Sequence, residues 1–246
     1  MDTDSGSFVQ VLGCFAACTD GHRLVLRPSA QRVLGVVAVR GALSRAEVAG
    51  LLWPDLPQTR ALGNLRTALW RVRQDGPGLV AEEGAIVRVS NVRVDFLEVR
   101  AWAWRALRGE EPWTPVPRGA TLELLPGWGD YWLVDPREEL RLLQLYALEA
   151  SAQRLLLAGR FGEAAGLALA AVAVDPLRES ANRLLIEIYL RDGNRSDALR
   201  QFGKYEQLLR QETGTEPGPG LTALAGSFLA PRSPASTVTA MRRRRR

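Results

Sequence analysis

Two short apolar runs lie near the start of the chain. Residues 8–12 and 24–26 are rich in Val, Leu and Phe, and Asp20-Gly21 between them is a turn sequence. This pattern predicts short strands that form a small N-terminal sheet.

The apolar period then becomes helical. Residues 29–39 carry apolar side chains at helical spacing, and Gly41 follows where a C-terminal cap is expected. Ser44 and Glu47 have the spacing of a capping box, in which each side chain accepts a hydrogen bond from the backbone of the other residue. We therefore expect a first helix over residues 29–39 and a second that starts at Ser44 and stops before Pro54.

A third helix and a hairpin complete this part of the chain. Thr59 is a candidate N-cap for a helix that extends to Gln74. Two β-rich runs within residues 79–89 flank Glu83-Gly84, which is a hairpin signal. A sheet, three helices and a hairpin in this order predict a winged helix-turn-helix.

The third helix has a polar stripe opposite its apolar face. At about 100° per residue, one arc is apolar and contains Leu62, Leu65, Leu69 and Val72. The opposite arc is polar and contains Arg60, Asn64, Thr67 and Arg71. Such side chains hydrogen-bond base edges and phosphates, so the stripe is typical of a helix that reads the DNA major groove. A solvated helix face has the same pattern and is the alternative interpretation.

Three further arginines extend this candidate DNA-binding surface. Arg66 and Arg73 lie nearer the buried edge of the helix, where they can reach a phosphate or form an intramolecular ion pair. Arg88 on the hairpin is a candidate wing contact in the minor groove, or alternatively caps the sheet.

An internal repeat of 34 residues marks the second half of the chain. Gly159 and Gly193 are 34 residues apart, and four more pairs of residues share this spacing. The period is typical of tetratricopeptide-like helix pairs, with small residues where helices approach closely. We place the two units at residues 138–174 and 179–210, with a helix that starts at Asp95 as a third layer.

These patterns predict a mainly α fold with a small N-terminal β-sheet and a wing hairpin. We expect a winged-helix DNA-binding domain over residues 1–95 and a tetratricopeptide-like all-α domain over residues 96–229. Residues 230–246 are rich in Pro, Ser, Thr and Arg and are expected to form a disordered tail.

The charge follows this division. Residues 1–108 contain 14 Arg and 10 acidic residues, whereas residues 109–241 contain 13 basic and 17 acidic residues. A basic first half favours contact with phosphate in that half. The composition also contains 31 Arg but a single Lys, a bias that a GC-rich genome would produce by itself.

Candidate residues for catalysis or metal binding are few. His22 is the single histidine, so catalytic triads and multi-histidine zinc sites lack ligands. Cys14, Cys18 and His22 are spaced four apart, but their segment is predicted as strand and turn instead of helix. Lys204 is the only lysine and lies outside any P-loop motif. We expect no enzyme activity, no metal site and no cofactor.

The sequence also has no signal for secretion or for a membrane. The first residues lack the basic and apolar regions of a signal peptide, and no stretch approaches about 18 consecutive apolar residues. We expect a soluble cytoplasmic protein without membrane contact.

Five short motifs occur in order along the chain. They are LLWPD at residues 51–55, NLRTALWRVR at 64–73, LLPGW at 124–128, DPLRESA at 175–181 and GTEPGP at 214–219. Together they resemble the antibiotic regulatory protein (SARP) family of actinobacterial activators. Members of that family join an OmpR-type winged helix to a bacterial transcriptional activator domain (BTAD).

The resemblance implies a transcriptional activator bound to the nucleoid. It implies binding to direct repeats in double-stranded promoter DNA by two or more protomers side by side, and contact with RNA polymerase holoenzyme. It also implies that the loop between the second and third helices faces polymerase. The residues of that loop are Pro54, Asp55, Leu56, Pro57 and Gln58.

Some features depart from the family or leave alternatives open. The wing has Gly84-Ala85 where the family often has Gly-Tyr, which puts minor-groove contact in doubt. A protein-interaction scaffold and a repressor would both share the predicted architecture.

Overall fold

The computed structural model describes residues 6–110 and 115–229, with only the backbone for residues 227–229. The described residues form small β-sheets and a larger number of helices, so the expected fold class is confirmed. The strands are β1 (Ser7–Gln10), β2 (Ala16–Thr19), β3 (His22–Arg23), β4 (Leu43–Ser44), β5 (Val80–Glu83), β6 (Ile86–Val89) and β7 (Val92–Val94). The helices are α1 (Pro28–Arg40), α2 (Arg45–Leu52), α3 (Gln58–Asp75), α4 (Asp95–Arg108), α5 (Val134–Leu157), α6 (Phe161–Val174), α7 (Glu179–Arg191), α8 (Arg195–Thr213) and α9 (Pro219–Leu229). The predicted tail at residues 230–246 lies outside the described residues.

The N-terminal sheet has the strand order β3-β2-β1-β7, with β1 and β7 parallel. The predicted strand at residues 24–26 is wrong. The chain reverses at Asp20 and Gly21, which have φ angles of 50° and 77°, so His22 and Arg23 come to lie opposite Thr19 and Cys18. Residues 24–26 then lead into α1, and Val25 is 92% exposed.

The winged helix forms around α1, α2 and α3. The capping box is confirmed, because Ser44 Oγ accepts from the backbone N–H of Glu47 and the Glu47 carboxylate accepts from the N–H of Ser44. Gly41 follows α1 with a φ of 80°, as expected of a helix end. The predicted N-cap at Thr59 is wrong. Pro57 occupies that position, and no side chain caps the first turn of α3.

The wing is the β5–β6 hairpin, which pairs with β4 in a sheet of order β4-β6-β5. Glu83 and Ile86 are its last paired residues, so the turn is at Gly84-Ala85, one residue later than the sequence predicts. The hairpin and α3 are thereby held on the same side of the domain, since β5 also packs against α3.

The second half consists of antiparallel helix pairs. α5 packs on α6, α7 packs on α8, and α4 covers α5 as the predicted third layer. Gly159 and Gly193 end the first helix of each pair with positive φ angles of 72° and 81°. Ala164 and Ala198, at matching places in the second helices, are fully buried. The 34-residue period therefore corresponds to real helix pairs.

The segment before α5 packs back onto the winged helix. Leu12 and Leu124 form an isolated β-bridge, and a Cβ at Gly35 would lie 3.2 Å from Cζ3 of Trp128. Arg32 forms an ion pair with Asp130. One hydrophobic core therefore includes α1, α3 and the residues that precede α5.

Candidate nucleic-acid interface

α3 is anchored against α1 and α2 through one face. Its buried residues are Ala61, Leu65, Ala68, Leu69 and Val72. The sequence prediction counted Leu62, which is half-buried, and missed the two alanines. Small alanine side chains permit helices to approach closely. The buried face of α3 is therefore rotated toward Ala61 and Ala68, relative to the face that the sequence predicted. The outward face is correspondingly rotated toward Thr67 and Trp70.

The structure places three members of the polar stripe in solvent. Arg60, Asn64 and Thr67 are exposed. Thr67 Oγ1 donates to the Gly63 carbonyl oxygen at 3.2 Å, which is a bond within the helix that solvent or a ligand can replace. The side chain of Arg60 has no hydrogen-bond or ion-pair partner among the described residues.

Arg71, the fourth member, is half-buried at the edge of the face. Its Nη1 donates to Ser29 Oγ in the first turn of α1, at 2.9 Å. Its Nε is buried without a partner among the described residues. Arg71 therefore bridges α3 to α1, a contact that depends on the tertiary fold and has no signal in the sequence near Arg71.

The other three predicted arginines differ in their partners. Arg66 is exposed and has no partner among the described residues. Arg73 forms an ion pair with Glu82 of the wing, with Nη2 and Oε1 2.6 Å apart. Arg88 forms an ion pair with Glu83 across the hairpin turn. The wing carboxylates therefore partly neutralise Arg73 and Arg88 and leave Arg66 uncompensated.

Trp70 is a surface residue that the sequence prediction did not assign to this face. It is 56% exposed, between Thr67 and Gln74 on the outward side of α3. Its position would have followed from a helical wheel centred on the buried alanines as well as the leucines. An exposed tryptophan beside arginines offers an apolar surface for a sugar or a base.

The predicted polymerase-facing loop lies directly before α3. Residues 54–58 are all exposed, and Pro57 and Gln58 form the start of the helix. The loop is therefore accessible at the start of α3, while the outward face of the helix remains free for another contact.

Other site chemistry is sparse in the described residues. Residues 6–110 and 115–229 contain no cluster of three or more His, Cys, Asp or Glu side chains placed to hold a metal ion. Cys14 and Cys18 are free thiols. Among the described helices, none is both long and apolar enough to cross a lipid bilayer.

Comparisons with known proteins agree with this architecture. Residues 118–229 match the bacterial transcriptional activator domain. Regulatory protein AfsR of Streptomyces coelicolor is 29% identical over 235 residues, which cover 89% of this chain but 24% of AfsR. The chain thus spans about a quarter of the length of that relative.

A solved structure shares the fold. EmbR of Mycobacterium tuberculosis, in complex with a low affinity phosphopeptide, superposes with a TM-score of 0.65 at 21% identity. The match covers 91% of this chain and 65% of the EmbR chain. At this identity the likeness concerns the fold.

The chain thus joins a winged helix to a segment that matches the bacterial transcriptional activator domain. The resemblance to the SARP family of transcriptional activators is confirmed.

Proposed function

We propose that the chain is a sequence-specific DNA-binding transcriptional activator whose α3 enters the major groove of promoter DNA. The observation that carries this proposal is the outward face of α3, where two uncompensated arginines accompany Asn64 and Thr67. No carboxylate interrupts α3 between residues 61 and 74. A positive face on a rigidly anchored helix meets the main requirement for groove binding, since phosphates supply much of the affinity.

Roles within this face follow from chemistry and position. Asn64 can form two hydrogen bonds with adenine, and Arg60 can do the same with guanine. Arg66, on the opposite flank of the face, is assigned to a phosphate. Arg71 stays in the proposed base-reading set, with Ser29 orienting its guanidinium. Arg73 and Arg88 can reach a phosphate only by releasing the wing glutamates.

Activation requires a second contact. We assign it to the exposed loop of residues 54–58, which lies at the end of α3 and faces RNA polymerase holoenzyme when α3 is in the groove. Two or more protomers occupy direct repeats side by side, and the protein acts on the nucleoid in the cytoplasm. These assignments rest on the resemblance to the SARP family and on the accessibility of the loop.

The test is a binding titration at several salt concentrations. A preferred site is first selected from a random DNA library, and affinity is then measured on that site and on a scrambled one. Asn64→Ala and Arg71→Ala should cost about 1–3 kcal/mol on the preferred site and relax preference at one position. Arg66→Ala should weaken both sites alike and lower the salt slope by about one.

Arg183→Ala, on the exposed side of α7, is the control for loss of a positive charge elsewhere. Circular dichroism establishes that each variant is folded. An unchanged ratio between the two sites for both Asn64→Ala and Arg71→Ala would show that α3 does not read DNA. Binding that is weak and independent of salt would favour a protein-interaction scaffold instead.

A further inference from the structure

A half-open cavity lies between α2, α3 and the wing hairpin. Its volume is about 390 Å³. Leu62, Leu65 and Leu69 of α3 form one wall, and Ala46 and Ala85 contribute from α2 and the hairpin turn. Small-molecule sites in proteins are mostly apolar and range from roughly 300 to 1,000 Å³. The cavity is therefore large enough and apolar enough for a small organic molecule.

The rim of this cavity carries an excess of positive charge. Glu82 forms ion pairs with both Arg45 and Arg73, and its side chain is only 9% exposed. Arg66 lines the same cavity and has no partner among the described residues. The lining thus contains three guanidinium groups and one carboxylate, and the guanidinium of Arg66 is available to a ligand.

We propose that this cavity binds a small amphipathic organic anion. Its apolar body packs against the three leucines, and its acidic group accepts hydrogen bonds from Arg66, whose planar guanidinium matches a carboxylate or sulfonate. The DNA backbone does not fit this site as well, because sugar and phosphate have no apolar group large enough to cover the leucine wall. The occupant is therefore a small molecule.

Binding of such an anion would lower DNA affinity, a consequence that rests on the proposed function. The ligand would neutralise Arg66, which is assigned to a phosphate, and it would sit between the reading helix and the wing. By linkage, DNA would lower the affinity for the anion by the same factor.

The experiment titrates the full chain with anilinonaphthalene sulfonate, a fluorescent apolar sulfonate. Phenylnaphthylamine, which has the same aromatic body without the acid, is the uncharged comparison. We expect saturable one-to-one binding of the sulfonate, stronger than that of the uncharged dye. Arg66→Gln should weaken it about tenfold, the loss of one charge-assisted pair.

Arg60→Gln removes the same charge from the same helix without lining the cavity, so the dye should bind it as it binds the unmodified chain. The proposed site is wrong if binding does not saturate, if both dyes bind equally, or if the two variants weaken binding equally. Addition of selected DNA should displace the dye. If the dye stays bound to the DNA complex, the proposed effect on DNA affinity is wrong but the proposed anion site stands. If the chain binds the dye but no DNA, only the proposed function is wrong.

Discussion

Asp95 is a buried carboxylate at the junction of the two halves of the chain. Its two oxygens accept hydrogen bonds from the backbone N–H groups of Val11 and Leu12, at 2.9 and 3.0 Å, and Phe96 N donates to it at 2.8 Å. Burial raises the pKa of this carboxyl above 3.8, and the three backbone donors oppose that shift. Asp95 therefore fixes the end of β1 to the start of α4.

We predict that Asp95→Asn lowers the free energy of unfolding by about 1–3 kcal/mol at neutral pH. The amide has a single acceptor oxygen, so at least one backbone donor loses its partner. Because the folded-state pKa of Asp95 lies above that of the unfolded chain, the folded protein binds a proton more tightly. The unmodified chain should then gain stability relative to the variant as the pH falls through that raised pKa toward 3.8.

Urea denaturation of both proteins across this acidic range measures the difference. Asp20→Asn, at an exposed turn, is the matched control for the loss of one carboxylate and should leave the free energy of unfolding at neutral pH nearly unchanged. A stability gap for Asp95→Asn that narrows on acidification would contradict the assignment.

At the scale of single residues, the sequence was informative where a side chain acts locally. The Ser44 and Glu47 box could be predicted because both partners lie within one helical turn. The bond between Arg71 and Ser29 joins residues 42 positions apart. The bonds from Val11 and Leu12 to Asp95 join residues 84 and 83 positions apart. Such contacts depend on helix packing, which a single sequence pattern does not contain.

At the scale of elements, helices were predicted better than strands. Gly41 and Pro54 mark helix ends through their own backbone preferences. α1 ends one residue before Gly41, and α2 ends two residues before Pro54. β7 was missed, because its three residues pair in parallel with β1 from the start of the chain. The prediction of which face of α3 is buried was also partly wrong. Ala61 and Ala68 contribute little to a hydrophobic pattern, yet both are buried.

The loop before α3 provides a prediction at this scale. Asp55→Ala and Gln58→Ala should each lower transcription by purified RNA polymerase holoenzyme about fivefold, the effect of losing about 1 kcal/mol at an interface. DNA affinity should stay nearly unchanged, because the loop lies at the N-terminal end of α3 and not on the outward face of that helix.

Run-off transcription and fluorescence anisotropy on the same promoter fragment measure the two properties. Glu212→Ala, an exposed acidic residue at the end of α8, should change neither. Equal losses in both assays would identify the loop as a DNA contact or as a folding element.

At the scale of the whole molecule, the winged helix and the helical domain share a core. Residues 115–130 are rich in Pro and Gly and resemble a linker in sequence, but Leu124 and Leu125 are buried in the same core as α1, and Trp128 packs against that core. Arg137 strengthens the junction by donating to the carbonyl oxygens of Leu124 and Trp128, at 2.8 and 3.0 Å. The sequence of this segment predicts turns, because the residues of α1 that bury its apolar side chains lie about 90 residues earlier in the chain.

This shared core predicts that the two halves unfold together. Leu125 is fully buried in it, beside Gly35 of α1. Leu125→Ala should lower the free energy of unfolding by about 2–5 kcal/mol, since the removed methyl groups leave a cavity that the surrounding helices fill only in part. Hydrogen exchange should then accelerate at the amides of α1 as well as at those of α5, although the substitution lies outside the winged helix.

Leu169→Ala, on the exposed side of α6, is the matched control. It should not accelerate hydrogen exchange in α1 or α5 to a comparable extent. A fragment of residues 1–105 lacks Leu125 and its buried neighbours, so its melting temperature should fall below that of a fragment of residues 1–157. If Leu125→Ala destabilises α5 while the amides of α1 keep their protection, the winged helix unfolds independently. The proposed DNA binding by α3 could then proceed without the helical domain, and a rigid connection between α3 and the helical domain would be disproved.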